Sequence, residues 1–276
     1  MKESIENQLK NFDIESDTNA LEHIKKIYRE LPNLPKRIIT SLGPSGPGDR
    51  DVVSRSSEIS GRKLQNASTN FNQGMWLARL SNYSSKHSNH PINIIELGTC
   101  VGISTMYLMA GISKTGGGHI ITFEGSPELA DLAKFNITNF LNSNSIKNIT
   151  FEIIVGSIDE NLYEVLENLD SLALSFIDGN HLEQATLEYH AAISSKTSEH
   201  GVIVHDDINW GAGMKRAWDS ICKQENTHQI LEFYLGGKPS RGAIFRGQPG
   251  SGGNSTIHMD GLIERAARKL KASVTE

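Results

Sequence analysis

The chain has 276 residues, of which 37% are hydrophobic and 21% are charged, and its formal net charge is −5. This composition is ordinary for a globular protein, and a negative charge without a long basic run gives no support to a nucleic-acid partner. No apolar run approaches the roughly 20 residues that a membrane span needs. Two cysteines, Cys100 and Cys222, are too few for a disulfide framework and match no metal-binding spacing. The charged N-terminus lacks a signal-peptide core, so we expect a cytoplasmic protein whose partner is a small molecule, not a nucleic acid or a membrane.

The first seventy residues are predicted to form an N-terminal extension. Apolar residues recur at helical spacing through residues 18–31, and two prolines end that helix. Residues 42–50 are rich in glycine and proline, which predicts neither helix nor strand. Such a segment is either a plain linker or a mobile cover over a site, and the following residues, 52–63, are weakly helical at best. We therefore expect residues 1–70 to form a helical extension with a lid or substrate loop.

Strands alternate with helices after a helix at residues 72–80, which is typical of a parallel sheet with right-handed crossovers. The predicted strands span residues 94–97, 119–124, 149–155, 172–177 and 201–204. An antiparallel pair at residues 229–235 and 242–246 closes the sheet. The predicted fold is α/β, a Rossmann-like doubly wound sheet over residues 71–247, mostly parallel with an antiparallel final strand.

The end of the chain, residues 248–276, is predicted to form a flexible linker and an amphipathic C-terminal helix. The helix carries a narrow apolar stripe with basic residues opposite. That stripe is too weak for membrane binding, so docking on the same domain or on a partner subunit is the favoured interpretation. A homodimer is one arrangement that such docking would allow.

The first predicted strand of the sheet ends in a glycine turn that opens a helix. Glu96 precedes the turn, Gly98 and Gly102 lie within it, and Ser104 begins the helix. Backbone N–H groups at such a turn point into the crevice above the sheet edge, which is the usual place for a nucleotide-like ligand. The two glycines are four residues apart, which differs from the G-x-G-x-x-G pattern of dinucleotide sites and disfavours an NAD-dependent oxidoreductase. An ordinary strand–turn–helix without a ligand is the other interpretation.

Polar residues also follow the second and third strands. Glu124 ends the second strand, where an acid can accept hydrogen bonds from two ribose hydroxyls. The alternative is a solvated strand-end carboxylate. Gly156 and Ser157 follow the third strand, where they would flank an adenine ring.

Three aspartates follow the fourth and fifth strands: Asp178, Asp206 and Asp207. Carboxyl ends of neighbouring parallel strands meet, and two carboxylates about 5 Å apart repel by about 3 kcal/mol at an effective dielectric constant of about 20. A divalent cation would remove that repulsion, and an all-oxygen ligand set suits Mg²⁺ or Ca²⁺. Helix or turn capping by Asp178 and Asp207 is the alternative.

His181 lies three residues after Asp178 and therefore beside the same sheet edge. An imidazole beside a metal-bound hydroxyl is a suitable general base. Capping or packing at the start of the next helix is the alternative. His205 ends a buried strand and is expected to be structural.

Together these residues resemble the metal-dependent branch of the class I O-methyltransferases that use S-adenosylmethionine (SAM). That branch includes the catechol-type and macrocin-type enzymes, and the similarity covers roughly residues 71–247. It implies that His181 and Asp178 are catalytic and that Glu124 holds the ribose. The aspartates implied to bind Mg²⁺ are Asp178, Asp206 and Asp207. The residues implied at the cofactor are Glu96, Gly98, Thr99, Gly102, Ser104, Glu124, Gly125, Gly156, Ser157, Asp178, Asn72 and Gly74.

The sequence departs from the catechol branch, in which the last metal ligand is asparagine and a lysine is the base. Asp207 and His181 would take those roles here, which favours the macrocin-like branch. The resemblance implies SAM- and Mg²⁺-dependent methylation of a hydroxyl on a small molecule or natural product. The alternatives are a metal-independent SAM methyltransferase acting on nitrogen or carboxyl groups and an inert SAM-fold partner subunit.

Overall fold

The computed structural model describes residues 4–10, 18–44, 52–235, 238–249 and 255–258. Its helices are α1 (Ile5–Lys10), α2 (Thr18–Glu30), α3 (Gly61–Ala67), α4 (Phe71–Lys86), α5 (Ile103–Ile112), α6 (Pro127–Ser143), α7 (Ile158–Glu167), α8 (Glu183–Lys196) and α9 (Ala212–Gln224). Its strands are β1 (Arg37–Pro44), β2 (Val52–Ile59), β3 (Ile92–Leu97), β4 (Gly118–Glu124), β5 (Ile149–Val155), β6 (Leu172–Ile177), β7 (Thr197–His205), β8 (His228–Leu235), β9 (Lys238–Pro249) and β10 (Ser255–His258). Among the described residues, every helix is too short or too polar to cross a membrane.

Eight strands form one sheet in the order β10-β8-β9-β7-β6-β3-β4-β5. Strands β3 to β7 pair in parallel, whereas β9 runs antiparallel to both β7 and β8. The predicted Rossmann-like sheet with a late antiparallel strand is therefore confirmed. One addition is β10, which pairs in parallel with β8. Residues 248 and 249 also extend β9 instead of belonging to the predicted linker. The predicted C-terminal helix lies outside the described residues, so the homodimer inferred from it stays a prediction.

Helices cover both faces of this sheet, as a doubly wound fold requires. On one face α4, α5 and α6 bury apolar side chains such as Leu77, Leu108 and Phe140. On the other face α7, α8 and α9 do the same. The N-terminal helices join the first of these clusters through residues such as Leu9 and Ile24, so they pack on the same core as the sheet.

Strands β1 and β2 form a separate antiparallel hairpin, pairing Arg37 with Ile59 and Pro44 with Val52. Two sequence predictions are wrong here. Residues 42–44 are strand, although glycine and proline predicted otherwise, and residues 52–59 are strand instead of weak helix. The physical reason is the β-branched residues that flank the glycine- and proline-rich segment, a pattern that favours extended chains around a turn. Residues 45–51, between the strands, lie outside the described part of the chain.

The order of the strands creates a switch point at β3. From β3 the chain moves outward to β4 and β5, and then returns to place β6 on the other side of β3. Ligands bind α/β sheets at such a point, beyond the carboxyl ends of the strands. The Asp178 N–H donates to the Leu97 carbonyl at 2.9 Å, and the Asp206 N–H donates to the Ile177 carbonyl at 3.0 Å. These bonds extend the parallel register by one residue and bring the strand-end acids side by side.

Candidate cofactor and acid site

The glycine turn after β3 requires its glycines. Gly98 has a φ of +105°, and a Cβ added there would lie 2.4 Å from the Asp178 carbonyl oxygen. Gly102 has a φ of +83°, and its added Cβ would lie 3.0 Å from Cγ1 of Ile137. A side chain at either position would therefore meet backbone strain, and at Gly98 it would also clash with the backbone. The contact at Gly98 also places the turn directly against the loop that carries Asp178.

A cleft of about 1110 Å³ opens beside this turn, along the carboxyl ends of β3 to β6. Five of the predicted cofactor residues line it, namely Gly98, Glu124, Gly125, Gly156 and Ser157. His181 lines the same cleft, together with its neighbours Gly179 and Asn180. The cleft therefore joins the predicted cofactor residues to the predicted base.

Glu124 faces the cleft from the end of β4, held by two backbone donors. Its Oε2 accepts from the Cys100 N–H at 2.7 Å, and its Oε1 accepts from the Ser126 N–H at 2.9 Å. Burial raises the pKa of the Glu124 carboxyl, and the backbone hydrogen bonds oppose that rise. A carboxylate has about four lone-pair sites, so each oxygen can accept one more hydrogen bond from a ligand hydroxyl.

Glu96 lies beneath the turn and is fully buried. Its Oε2 accepts from the hydroxyls of Thr105 at 2.5 Å and Thr122 at 2.7 Å. Its Oε1 has no hydrogen-bond partner among the described residues. Burial raises the pKa of the Glu96 carboxyl, although the surrounding hydroxyls lower it in part. Glu96 thus supports the turn from below through hydrogen bonds to Thr105 and Thr122.

A Glu96→Gln variant should change how stability depends on pH. The folded-state pKa of Glu96 is raised, so the folded wild type binds an extra proton above the pKa of the unfolded chain. The wild type therefore loses stability as pH rises through that window, and the variant lacks this loss. Urea unfolding at pH 5 and pH 8 measures this loss. The free energy of unfolding of the variant, relative to that of the wild type, should be higher at pH 8 than at pH 5. Equal pH dependence in both proteins would contradict the prediction.

The remaining predicted cofactor residues are packed into the scaffold. Thr99 pairs its hydroxyl with that of Thr122 at 2.6 Å, and Ser104 is buried in the first turn of α5. Gly74 faces Tyr107, because an added Cβ would lie 2.1 Å from that aromatic ring. Asn72 lies in the first turn of α4 and is partly exposed. Close packing of α4 on α5 is therefore a sufficient reason for the glycine at position 74.

Asp178, His181 and Asp207 come together beside the cleft, which His181 lines. Each offers one ligand atom, and these three atoms lie within 4.8 Å of one another. His181 Nε2 is 3.7 Å from Asp207 Oδ2. Burial raises the pKa of the Asp178 carboxyl well above its usual range, and the charge of Asp206 raises it further. Burial and Asp206 also raise the pKa of Asp207. A cation placed among Asp178, His181 and Asp207 would therefore stabilise the ionised carboxylates.

Asp206 is bound to a cation that the sequence analysis missed, the buried guanidinium of Arg241. Arg241 Nη2 donates to Asp206 Oδ2, and its Nη1 donates to the Gln73 carbonyl at 3.1 Å. The other oxygen, Asp206 Oδ1, accepts from the Asp207 N–H at 2.9 Å. Burial lowers the pKa of Arg241, but Asp206 and its neighbours raise it by more. A charged residue directly before the apolar run of β9 was the available signal, because a buried charge needs a partner.

Two further residues complete this end of the site. His205 is buried, and its Nε2 lies 3.1 Å from His190 Nδ1, which agrees with a structural role. Burial lowers the pKa of His205 well below its usual range. Trp210, also missed in the sequence, is 73% exposed, and its ring lies 6.2 Å from that of His181. An exposed indole beside the predicted base offers an apolar face to a bound molecule.

Comparison with known proteins agrees with this architecture. Residues 95–208 match a family model described as a methyltransferase domain. No curated protein matches the sequence. An O-methyltransferase from Bacillus cereus in complex with SAH is 21% identical over 83% of this chain and 91% of its own, with a TM-score of 0.54. The O-methyltransferase TomG from Streptomyces achromogenes, in complex with SAM, is 17% identical over 83% and 90%, also with a TM-score of 0.54.

A third structure, the SAH-bound methyltransferase PaMTH1 from Podospora anserina, is 14% identical over 83% of this chain and 88% of its own, with a TM-score of 0.53. At these identities the likeness to solved structures is one of fold, and the family model adds the type of domain. Residues 95–208 therefore match a methyltransferase domain, and the chain shares its fold with these methyltransferase structures.

Proposed function

We propose that this protein transfers a methyl group from SAM to a hydroxyl of a small molecule or natural product. The observation that supports this most directly is the contact between the glycine turn and the acid loop. Gly98 lies against the Asp178 carbonyl, and His181 follows in the same loop and lines the same cleft. A methyl donor above the turn and an acceptor beside His181 would therefore be neighbours, as direct transfer requires.

The residues of the cleft fit the cofactor. Gly98 gives the backbone a close approach that a side chain would block, and Glu124 keeps two acceptor sites for the ribose hydroxyls. Gly156 and Ser157 leave room for the adenine beyond β5. When bound, SAM supplies a methyl group on a cationic sulfur. The acidic side chains at this edge of the sheet, Glu124 and the aspartates without an arginine partner, favour a cation there.

His181 would act as the general base. Its imidazole is partly exposed toward the cleft, so the Nε2 atom can take the proton of an acceptor hydroxyl. Asp207, 3.7 Å away, would orient the ring and stabilise the imidazolium that results. Trp210 would provide an apolar surface for the acceptor beside that base.

The acid group also fits a divalent cation. Asp178 and Asp207 would hold Mg²⁺, with His181 at its side, while Asp206 stays paired with Arg241. Bound there, the metal lowers the pKa of an acceptor hydroxyl. One observation favours a metal-independent enzyme as the second candidate: Arg241 already supplies a fixed positive charge. Activity that survives EDTA would support that candidate, whereas loss with EDTA and recovery with Mg²⁺ would support the metal.

Calorimetry with S-adenosylhomocysteine (SAH), which is SAM without the transferred methyl group, tests whether the cleft binds the proposed cofactor. Glu124→Gln should weaken SAH binding by about 10- to 150-fold, because one charge-assisted hydrogen bond to the ribose is worth roughly 1.5–3 kcal/mol. The amide oxygen keeps one backbone N–H satisfied, so the fold should survive. Glu152→Gln, an exposed substitution on neighbouring β5, is the control and should bind as the wild type does. A wild-type protein that does not bind SAH would refute the proposal.

A further inference from the structure

We propose that the β1–β2 hairpin forms part of the cofactor site and contacts the adenosyl half of SAM. This rests on the proposed function. The hairpin lies outside residues 95–208, the part that matches the methyltransferase model. Two of its side chains, Ile39 and Ser41, nevertheless line the main cleft.

The hairpin meets the cleft on the side of β4. Ile39 is 6% exposed and shares this wall with Gly125, Ser126 and Leu129. These residues directly follow Glu124, the predicted ribose ligand. The preceding side chain, Ile38, is 60% exposed and points away from the core, as alternation along a strand requires. The hairpin therefore presents one apolar side chain to the place where the ribose and adenine would lie.

A chain of hydrogen bonds connects the hairpin to Glu124. The Thr40 N–H and hydroxyl donate to the two oxygens of Glu128 at 2.9 and 3.1 Å. Glu128 Oε2 also accepts from the Ser126 hydroxyl at 2.8 Å, and the Ser126 N–H donates to Glu124. Hydrogen bonds from the Thr40 N–H lower the pKa of Glu128 to about 2, so this anchor remains ionised at neutral pH. The residue that would hold the ribose and the strand that would cover it are thus connected through Glu128 and Ser126.

The position of the strands assigns the hairpin to the donor and not to the acceptor. His181 and Asp207 follow β6 and β7, whereas the hairpin meets the ends of β4 and the start of α6. Strand β3 lies between β4 and β6, so the two regions are separated by about 10 Å at roughly 4.8 Å per strand. A methyl group at the turn after β3 would leave the adenosyl group on the hairpin side.

Calorimetry with SAH and with 5′-methylthioadenosine tests the inference. Ile39→Ala should raise the dissociation constants of both ligands by the same factor, about three- to tenfold, because both carry the adenosyl group that the side chain would cover. Glu128→Ala removes the anchor without changing a residue that lines the cleft. It should also lower the affinity for both ligands. The control is Ile38→Ala, on the same strand, which should bind both ligands as the wild type does.

The outcomes separate this inference from the proposed function. If the wild type binds SAH and both variants bind it equally well, the hairpin is not part of the cofactor site. If SAH binding is unchanged but the KM for the acceptor rises, the hairpin belongs to the acceptor site and the inference is overturned. If the wild type binds neither ligand, the proposed function itself fails. Should Ile39→Ala prove unfolded by circular dichroism, Glu128→Ala decides.

Discussion

His181→Asn is expected to lower kcat for methyl transfer by about 10²- to 10⁴-fold, the usual contribution of a general base. The side chain lines the cleft, and its Nε2 lies 3.7 Å from an Asp207 oxygen that would stabilise the protonated ring. Asparagine keeps a polar group of similar reach but cannot accept a proton at neutral pH. Because SAH would lie on the other side of the turn, its dissociation constant should stay the same. Steady-state kinetics and calorimetry on one preparation measure both quantities.

The control for this experiment is His200→Asn, a substitution at an exposed histidine in β7 that should leave both quantities unchanged. Two additions separate a base from a metal ligand. Added imidazole should restore part of the activity of His181→Asn if the lost group is a base, whereas a higher Mg²⁺ concentration should restore it if the lost group is a ligand. Full activity in the variant would exclude both roles and would remove His181 from the proposed mechanism.

The sheet that carries this site could be predicted because its signals are local. Each of β3 to β7 contains a short apolar run and is followed by a turn and a helix, so the bounds at residues 149–155 and 172–177 agree with the structure. The glycines at 98 and 102 mark the turn for an equally local reason, since both have positive φ. Parallel pairing then brings strand-end acids together without further information.

The parts that escaped prediction depend on contacts between distant segments. In the hairpin, glycine and proline between the strands concealed the β-branched residues on either side. Arg241 follows Asp206 by 35 residues, and the two meet only because β9 folds back beside β7. Until that antiparallel register is known, a single arginine in a strand cannot be distinguished from a surface residue. The sequence therefore predicts a metal, or capping by Asp178 and Asp207, but not the arginine that pairs with Asp206.

Arg241→Met should lower the free energy of unfolding by about 3–5 kcal/mol, the usual cost of removing one partner of a buried ion pair. Arg241 is 1% exposed, and the carboxylate of Asp206 would be left buried without a counter-charge. The Gln73 carbonyl would also lose its donor, which would loosen the start of α4. Urea unfolding of the purified variants measures the effect. The control is Arg216→Met, because the pair of Arg216 with Glu183 lies at the surface, where water and salt screen an ion pair and its loss should leave the free energy of unfolding nearly unchanged.

A double-mutant cycle identifies the cause of that loss. Asp206→Asn alone should also destabilise the protein, because Arg241 then stays buried and charged without an ionic partner. Combining it with Arg241→Met removes both charges. The loss of unfolding free energy in the double variant should therefore be smaller than the sum of the two single losses, by about 1–3 kcal/mol. Additive losses would show that the two side chains do not depend on each other. The pair would then contribute packing alone, and Asp206 would be free to bind a metal with Asp178 and Asp207.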